Sequence, residues 1–213
     1  MVDPTPPEPS VTASSGPSWA ALAPEGAASA AGAAARLGAY CWFEQQLFAL
    51  LGGWVSEIAE ADAKVLVAEH AEHAAWRAQR WFELLPTAPP GPDALVVAPP
   101  GVADAVDLAV ELADGADRTA AKLCLAHQVL LPALLVAYTA HAGWASTTAE
   151  ASTVRLLGLA RPDLASDQAE GLRLLAALAD PPAATAGPRQ ALEEALAAAG
   201  GAVGPGSAGR RPG

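Results

Sequence analysis

The chain has 213 residues, a mass of 21.4 kDa and an apolar fraction of 52%, enough for one sizeable core. Its formal net charge of -11 excludes a nucleic-acid binder, because phosphate contacts need Lys and Arg stripes that are absent here. The same charge favours solubility and a neutral or cationic small-molecule ligand.

Alanine dominates the apolar fraction, and long Ala/Leu segments with few β-branched runs favour helix over sheet. The expected class is all-α. Residues 1–26 are rich in Pro, Ser, Gly and Ala and are expected to be a disordered tail. Their opening stretch, MVDPTPPEPSVTASSGPS, has neither a basic lead nor an apolar segment and does not read as a signal peptide. A four-helix bundle is expected over residues 27–180, followed by a short helix and a disordered tail over 181–213.

The first helix is expected from Ala27 to Leu51, with Gly52-Gly53 weakening or ending it. At about 100° per residue, Tyr40, Phe43, Leu47, Leu50, Leu51 and Trp54 share one face, and Glu44 lies about 60° from its centre. A carboxylate placed there must be paired, protonated or bound to a cation, since an isolated buried charge costs several kcal/mol.

A short link leads to the second helix, Glu60 to Leu85, antiparallel to the first. Its apolar stripe is Val67, Ala71, Ala74, Ala78, Trp81 and Leu85. The cluster Glu69, His70, Glu72, His73 rides on the same helix, where His70 borders the core at about 80° from Ala78 and His73 lies at about 140°. The cluster reads either as a solvated polar face, with Glu69 and His73 as an i, i+4 pair, or as part of a polar site shared with Glu44.

From Pro86 to Val102 the chain is proline-punctuated and can be neither helix nor central strand. With a short helix from Ala103 to Leu112, it makes a connection of roughly 30 residues, long enough to travel the length of a bundle. The third helix, Asp117 to Ala142, takes Asp117 as its N-cap, is apolar nearly all round and is expected to kink at Pro132. Between Leu123 and Trp144 it carries no formal charge, but Pro132, His127, Gln128, Thr139 and His141 interrupt it. It therefore reads as a core helix, and no membrane partner is expected. His127 shares its stripe with Leu123, Leu130, Leu134 and His141, either as a satisfied core residue or as a ligand.

The fourth helix is expected to begin near Glu150, break at Arg161-Pro162 and resume from Asp163 to Ala179. Asp163, Asp167 and Glu170 then occupy early turns, where acidic residues complement the helix dipole. A last helix is expected from Pro188 to Ala199. Cys41 and Cys124 each fall inside a helix and read as buried free thiols, which fits a reducing, cytoplasmic compartment.

Through GAYCWFEQQLFALLGGW, through HAEHAAW with the following WFELLP, and through DLASDQAEGLRLL, the chain resembles the ferritin-like superfamily, nearest its small actinobacterial-type members, over roughly residues 30–178. The resemblance implies a ferritin-like four-helix bundle with a long crossover between the second and third helices. In that superfamily a di-iron or di-manganese site takes one Glu from each of two helices and a Glu-x-x-His motif from each of the other two. Here Glu44 matches the first-helix glutamate and His70 or His73 the second-helix histidine, but His70 itself replaces the glutamate three residues before His73. His127 stands where the third helix should offer Glu, and the fourth offers Asp167 and Glu170 without a histidine.

The implied metal ligands are thus Glu44, His70, His73, His127, Asp167 and Glu170, and the implied cofactor is iron or manganese, as one ion or none. Bound metal implies oxygen-dependent oxidation of a small-molecule substrate, with Tyr40 or Tyr138 nearby. The alternative is a non-catalytic helical scaffold with a degenerate site, packing on a partner or on itself as a homodimer.

Overall fold

The computed structural model describes residues 29–114, 118–178 and 183–204, with only the backbone at 183 and 184. Both terminal tails, up to residue 28 and from 205, and the expected N-cap Asp117 lie outside the described residues. Among the described residues all regular structure is helical: α1 (Ala30–Val55), α2 (Ala61–Glu83), α3 (Val102–Leu112), α4 (Thr119–Trp144), α5 (Ala151–Ala177) and α6 (Ala183–Ala198).

Cross-helix contacts set the directions of the four long helices. Tyr40 packs on Trp81 and Glu44 on Arg77, so residue numbers rise along α1 as they fall along α2, and the pair is antiparallel. His70 meets His127 and Trp81 meets Tyr138, which makes α2 and α4 parallel. His127 lies against Gly171 and His141 against Glu150, so α5 returns antiparallel to α4. Two parallel neighbours in sequence need a connection that recrosses the bundle, and the proline-rich segment with its 3-10 turn Asp93–Leu95 and α3 supplies it.

Several expected boundaries move, each for a local reason. Ser29 caps α1 by accepting the Gly32 N–H at 3.1 Å. Gly52-Gly53 does not end α1, which runs to Val55, because buried Trp54 holds the last turn in the core. Nor does Pro162 break α5: the carbonyl it leaves unbonded belongs to Gly158, an exposed residue that water can serve. Asp163, Asp167 and Glu170 therefore sit mid-helix, and the dipole role expected for them is lost. Ahead of Pro132, α4 widens into a π-helical segment, Leu125–Leu130, that absorbs the missing hydrogen bond.

The core runs continuously from Leu37 to Val203 and includes Trp81, Tyr40, Tyr138 and Phe43, each worth about 1.5–3 kcal/mol in buried apolar area. α6 begins at Ala183, earlier than expected, and its Leu192 and Leu196 are buried. Residues 200–204, expected within a disordered tail, instead turn back and bury Ala202 and Val203. α4 is the one described helix long and apolar enough to cross a membrane, and the other helices cover most of it. Both cysteines are buried free thiols.

The crossover is seated by one glycine. A Cβ on Gly38 would fall on the Leu95 carbonyl oxygen, whereas one on Gly52 would meet nothing within 4 Å. Gly38→Ala is expected to destabilise the fold by about 1–3 kcal/mol. Gly52→Ala should stabilise it by about 0.5–1 kcal/mol. Urea unfolding midpoints of the two variants check both signs.

Candidate functional site: a buried guanidinium beside a histidine relay

Glu44 is fully buried, and the partner that permits this is Arg77, whose side chain is only 1% exposed. Arg77 Nε donates to Glu44 Oε1 at 2.8 Å. Its Nη1 donates to Asp167 Oδ2 at 2.9 Å and to Asp163 Oδ2 at 2.5 Å. One cation from α2 thus ties a carboxylate of α1 to two on α5. α4 joins the group through Tyr138, which donates to Glu44 Oε1 at 2.8 Å and accepts from Trp81 Nε1 at 2.6 Å.

Burial raises the Glu44 pKa above its ordinary value, against the pull of the Arg77 charge and of hydrogen bonds from Arg77 and Tyr138. Burial would lower Arg77, but Glu44 and then Asp167 reverse the sign and hold the guanidinium more firmly protonated than usual. Glu44 Oε2 remains buried with no hydrogen-bond partner among the described residues.

Beside this ion cluster runs a chain of imidazoles whose tautomers follow from its far end. His127 Nδ1 lies 2.9 Å from the Leu123 carbonyl, which can only accept, so Nδ1 carries the proton. Neutral His127 then accepts at Nε2, and His70 Nδ1 donates to it across 3.0 Å. His70 is left with a bare lone pair on Nε2, in a residue 1% exposed, with no hydrogen-bond partner among the described residues. Asp167 Oδ1 and Glu170 Oε2 face that nitrogen at 3.7 and 3.8 Å.

Burial lowers the pKa of His70, and it pushes His127 down to about 4. For His73 burial also works downward, but the hydrogen bond and charge of Asp167 outweigh it and the pKa is raised. His73 Nδ1 donates to Asp167 Oδ1 at 2.8 Å.

All six expected ligands, Glu44, His70, His73, His127, Asp167 and Glu170, therefore converge in one region, but in unequal roles. His127 offers no free nitrogen, because both of its ring atoms are engaged. Glu44 is held by a guanidinium in place of a metal. His73, placed far from the core by its helical angle, reaches Asp167 from the rim with 36% of its side chain exposed. Glu69 and Glu72 are exposed, as the solvated-face reading expects. Of the tyrosines, Tyr138 bonds Glu44, while Tyr40 bonds His141 Nδ1 at 3.1 Å and stacks edge-on against Tyr138.

Arg77 and Gly171 were the residues that sequence reasoning passed over. Arg77 follows His70 by seven positions, within about 20° on the same strip, so its burial could be read from spacing. Gly171 follows Asp167 by four, and a Cβ there would land on the His127 ring. The missing side chain is what lets His127 lie between α4 and α5.

The chain matches no protein-family model, no curated protein and no solved structure. The site must therefore be read on its own chemistry.

Arg77→Leu is expected to cost about 3–5 kcal/mol, because it strands Glu44 and Asp167 in the core. With Glu44→Gln added, the double variant should cost about 1–3 kcal/mol less than the sum of the singles, since a neutral amide needs no counter-charge. A urea double-mutant cycle measures that coupling.

Proposed function

We propose that this protein is a ferritin-like helical bundle that binds a single divalent transition-metal ion at His70, Asp167 and Glu170. The observation that carries the reading is the buried, unpartnered His70 Nε2 facing two carboxylate oxygens. Two ligands each about 2.1 Å from one ion can stand at most about 4.2 Å apart, so spacings of 3.7 and 3.8 Å let His70 Nε2 share a cation with Asp167 or with Glu170, and the partly exposed Glu170 side chain must shift toward Asp167 for all three to reach one ion. A parallel α2/α4 pair joined by a recrossing connection is the topology of ferritin-like bundles, which supports the fold assignment.

The residues do not fit a two-metal centre. Arg77 takes up Glu44, the relay takes up His127, and neither Glu-x-x-His motif is complete. They do fit one ion of the iron, manganese or zinc class, with mixed nitrogen and oxygen donors. The second layer is built as metal sites require: His127 fixes the tautomer of His70, and Arg77 and His73 fix Asp167. Glu170 and His73, 39% and 36% exposed, give solvent and a small substrate a way in. An ion bound there supplies Lewis-acid or redox chemistry at that opening.

A non-catalytic module is the second reading, favoured by Phe48 and Trp76, 49% and 44% exposed. Phe48 lines a groove of about 320 Å³ between α1 and α2, with Gln45, Ala75, Ala78, Gln79 and Phe82.

Reconstitution with Mn²⁺, Fe²⁺ or Zn²⁺ followed by elemental analysis is expected to give one equivalent in the wild type and in Glu44→Gln. His70→Ala should lose it, and His127→Leu should weaken it by about 10–100-fold in a competition titration. No retained ion in the wild type would leave the helical-module reading in its place.

A further inference from the structure

We infer that Arg77 is a tethered counter-ion that permanently fills a second cation position in this bundle, and so holds the protein to one bound ion. The inference rests on the proposed metal-binding reading for its consequence, but on separate atoms for its geometry.

Those atoms belong to two helices, α1 and α5, and converge on one guanidinium of α2. Glu44 Oε1, Asp163 Oδ2 and Asp167 Oδ2 all lie within 2.9 Å of Arg77 nitrogens. Carboxylates brought this close repel one another unless a positive charge stands between them. His73 Nδ1 and one oxygen each of Asp163 and Asp167 also gather within 4.8 Å of one another beside the guanidinium. Glu44 adds the independent sign, since Oε2 is fully buried and no hydrogen-bond donor among the described residues meets it. A core carboxylate with a spare oxygen has more capacity for a cation than the guanidinium uses.

The cluster's charges agree with this. Glu44, Asp163 and Asp167 carry three formal negative charges against the single positive charge of Arg77. The guanidinium cannot be displaced by a competing ion, because α2 holds it in place and three carboxylates grip it. A guanidinium binds carboxylates by hydrogen bonds, yet it accepts no donor ligand and activates no water. The second position is therefore neutralised and chemically silent, and reactions that need two adjacent ions are closed to this protein.

Removing the tether should open the position. Arg77→Ala is expected to bind one more Mn²⁺ or Zn²⁺ per chain than the wild type, whatever the wild type itself binds, by elemental analysis and equilibrium dialysis. Arg77→Lys, which keeps a cation there, should show the wild-type count. Guanidinium ion at low millimolar concentration should compete with the extra metal in Arg77→Ala alone.

The difference in count keeps the two claims apart. A wild type with no ion and an alanine variant with one would defeat the single-ion reading and uphold the tether. Equal counts in the two proteins would overturn the tether whether that count is one or none. Should Arg77→Ala prove unfolded, its melting temperature in Mn²⁺ or guanidinium decides the matter, with a rise in either expected and no recovery in both overturning the inference.

Discussion

A guanidinium sealed inside a helical bundle obliges its surroundings to supply negative charge in the right directions, and the rest of this structure follows from that demand. Arg77 is satisfied by one carboxylate from α1 and two from α5, so three helices are fixed against one another by a single side chain. α4 enters through Tyr138 on Glu44, and Trp81 completes the chain by donating to Tyr138. A buried ion pair adds little net stability against an apolar replacement, but losing one partner is costly. The arrangement therefore specifies which helices meet, and at what height, more than it strengthens the fold.

The imidazole relay depends on that framework. Asp167 is held through Oδ2 by Arg77 and through Oδ1 by His73, which leaves Oδ1 aimed at His70 Nε2. The tautomer of His70 is set two residues away, by a backbone carbonyl acting through His127. His127 reaches its place because Gly171 has no side chain and because α4 widens into a π-helical turn around it. Such turns recur at functional sites, and here the turn carries the residue that orients the site.

Much of this was legible in the residues, and what was not has identifiable causes. The helical class, the buried stripe of α2 and the long crossover followed from periodicity and proline placement, because those signals are local and repeated. Glu44 was recognised as a buried charge needing a partner, but the partner lay on another helix. Arg77 could have been found, since it shares the His70 strip. A lone arginine in a polar cluster is ordinarily solvated, which masks that signal. The expected break at Pro162 failed because a helix that is otherwise well packed tolerates one lost hydrogen bond when the freed carbonyl lies at an exposed glycine. That single error misassigned Asp163 and Asp167 to a helix start and hid their common partner. The pairing of His127 with the Leu123 carbonyl one turn earlier sits in the π-helical segment Leu125–Leu130, a local widening that periodicity does not reveal.

The proposed site has two positive charges in different places, one covalently tethered and one exchangeable. Anomalous X-ray diffraction from crystals soaked in Mn²⁺ or Zn²⁺ locates both at once. The account predicts one strong peak about 2.0–2.3 Å from His70 Nε2, beside Asp167 and Glu170, with the Arg77 guanidinium still bonded to Glu44. A peak ligated by Glu44 with Arg77 swung away, or a soaked crystal with no peak at His70, would contradict it.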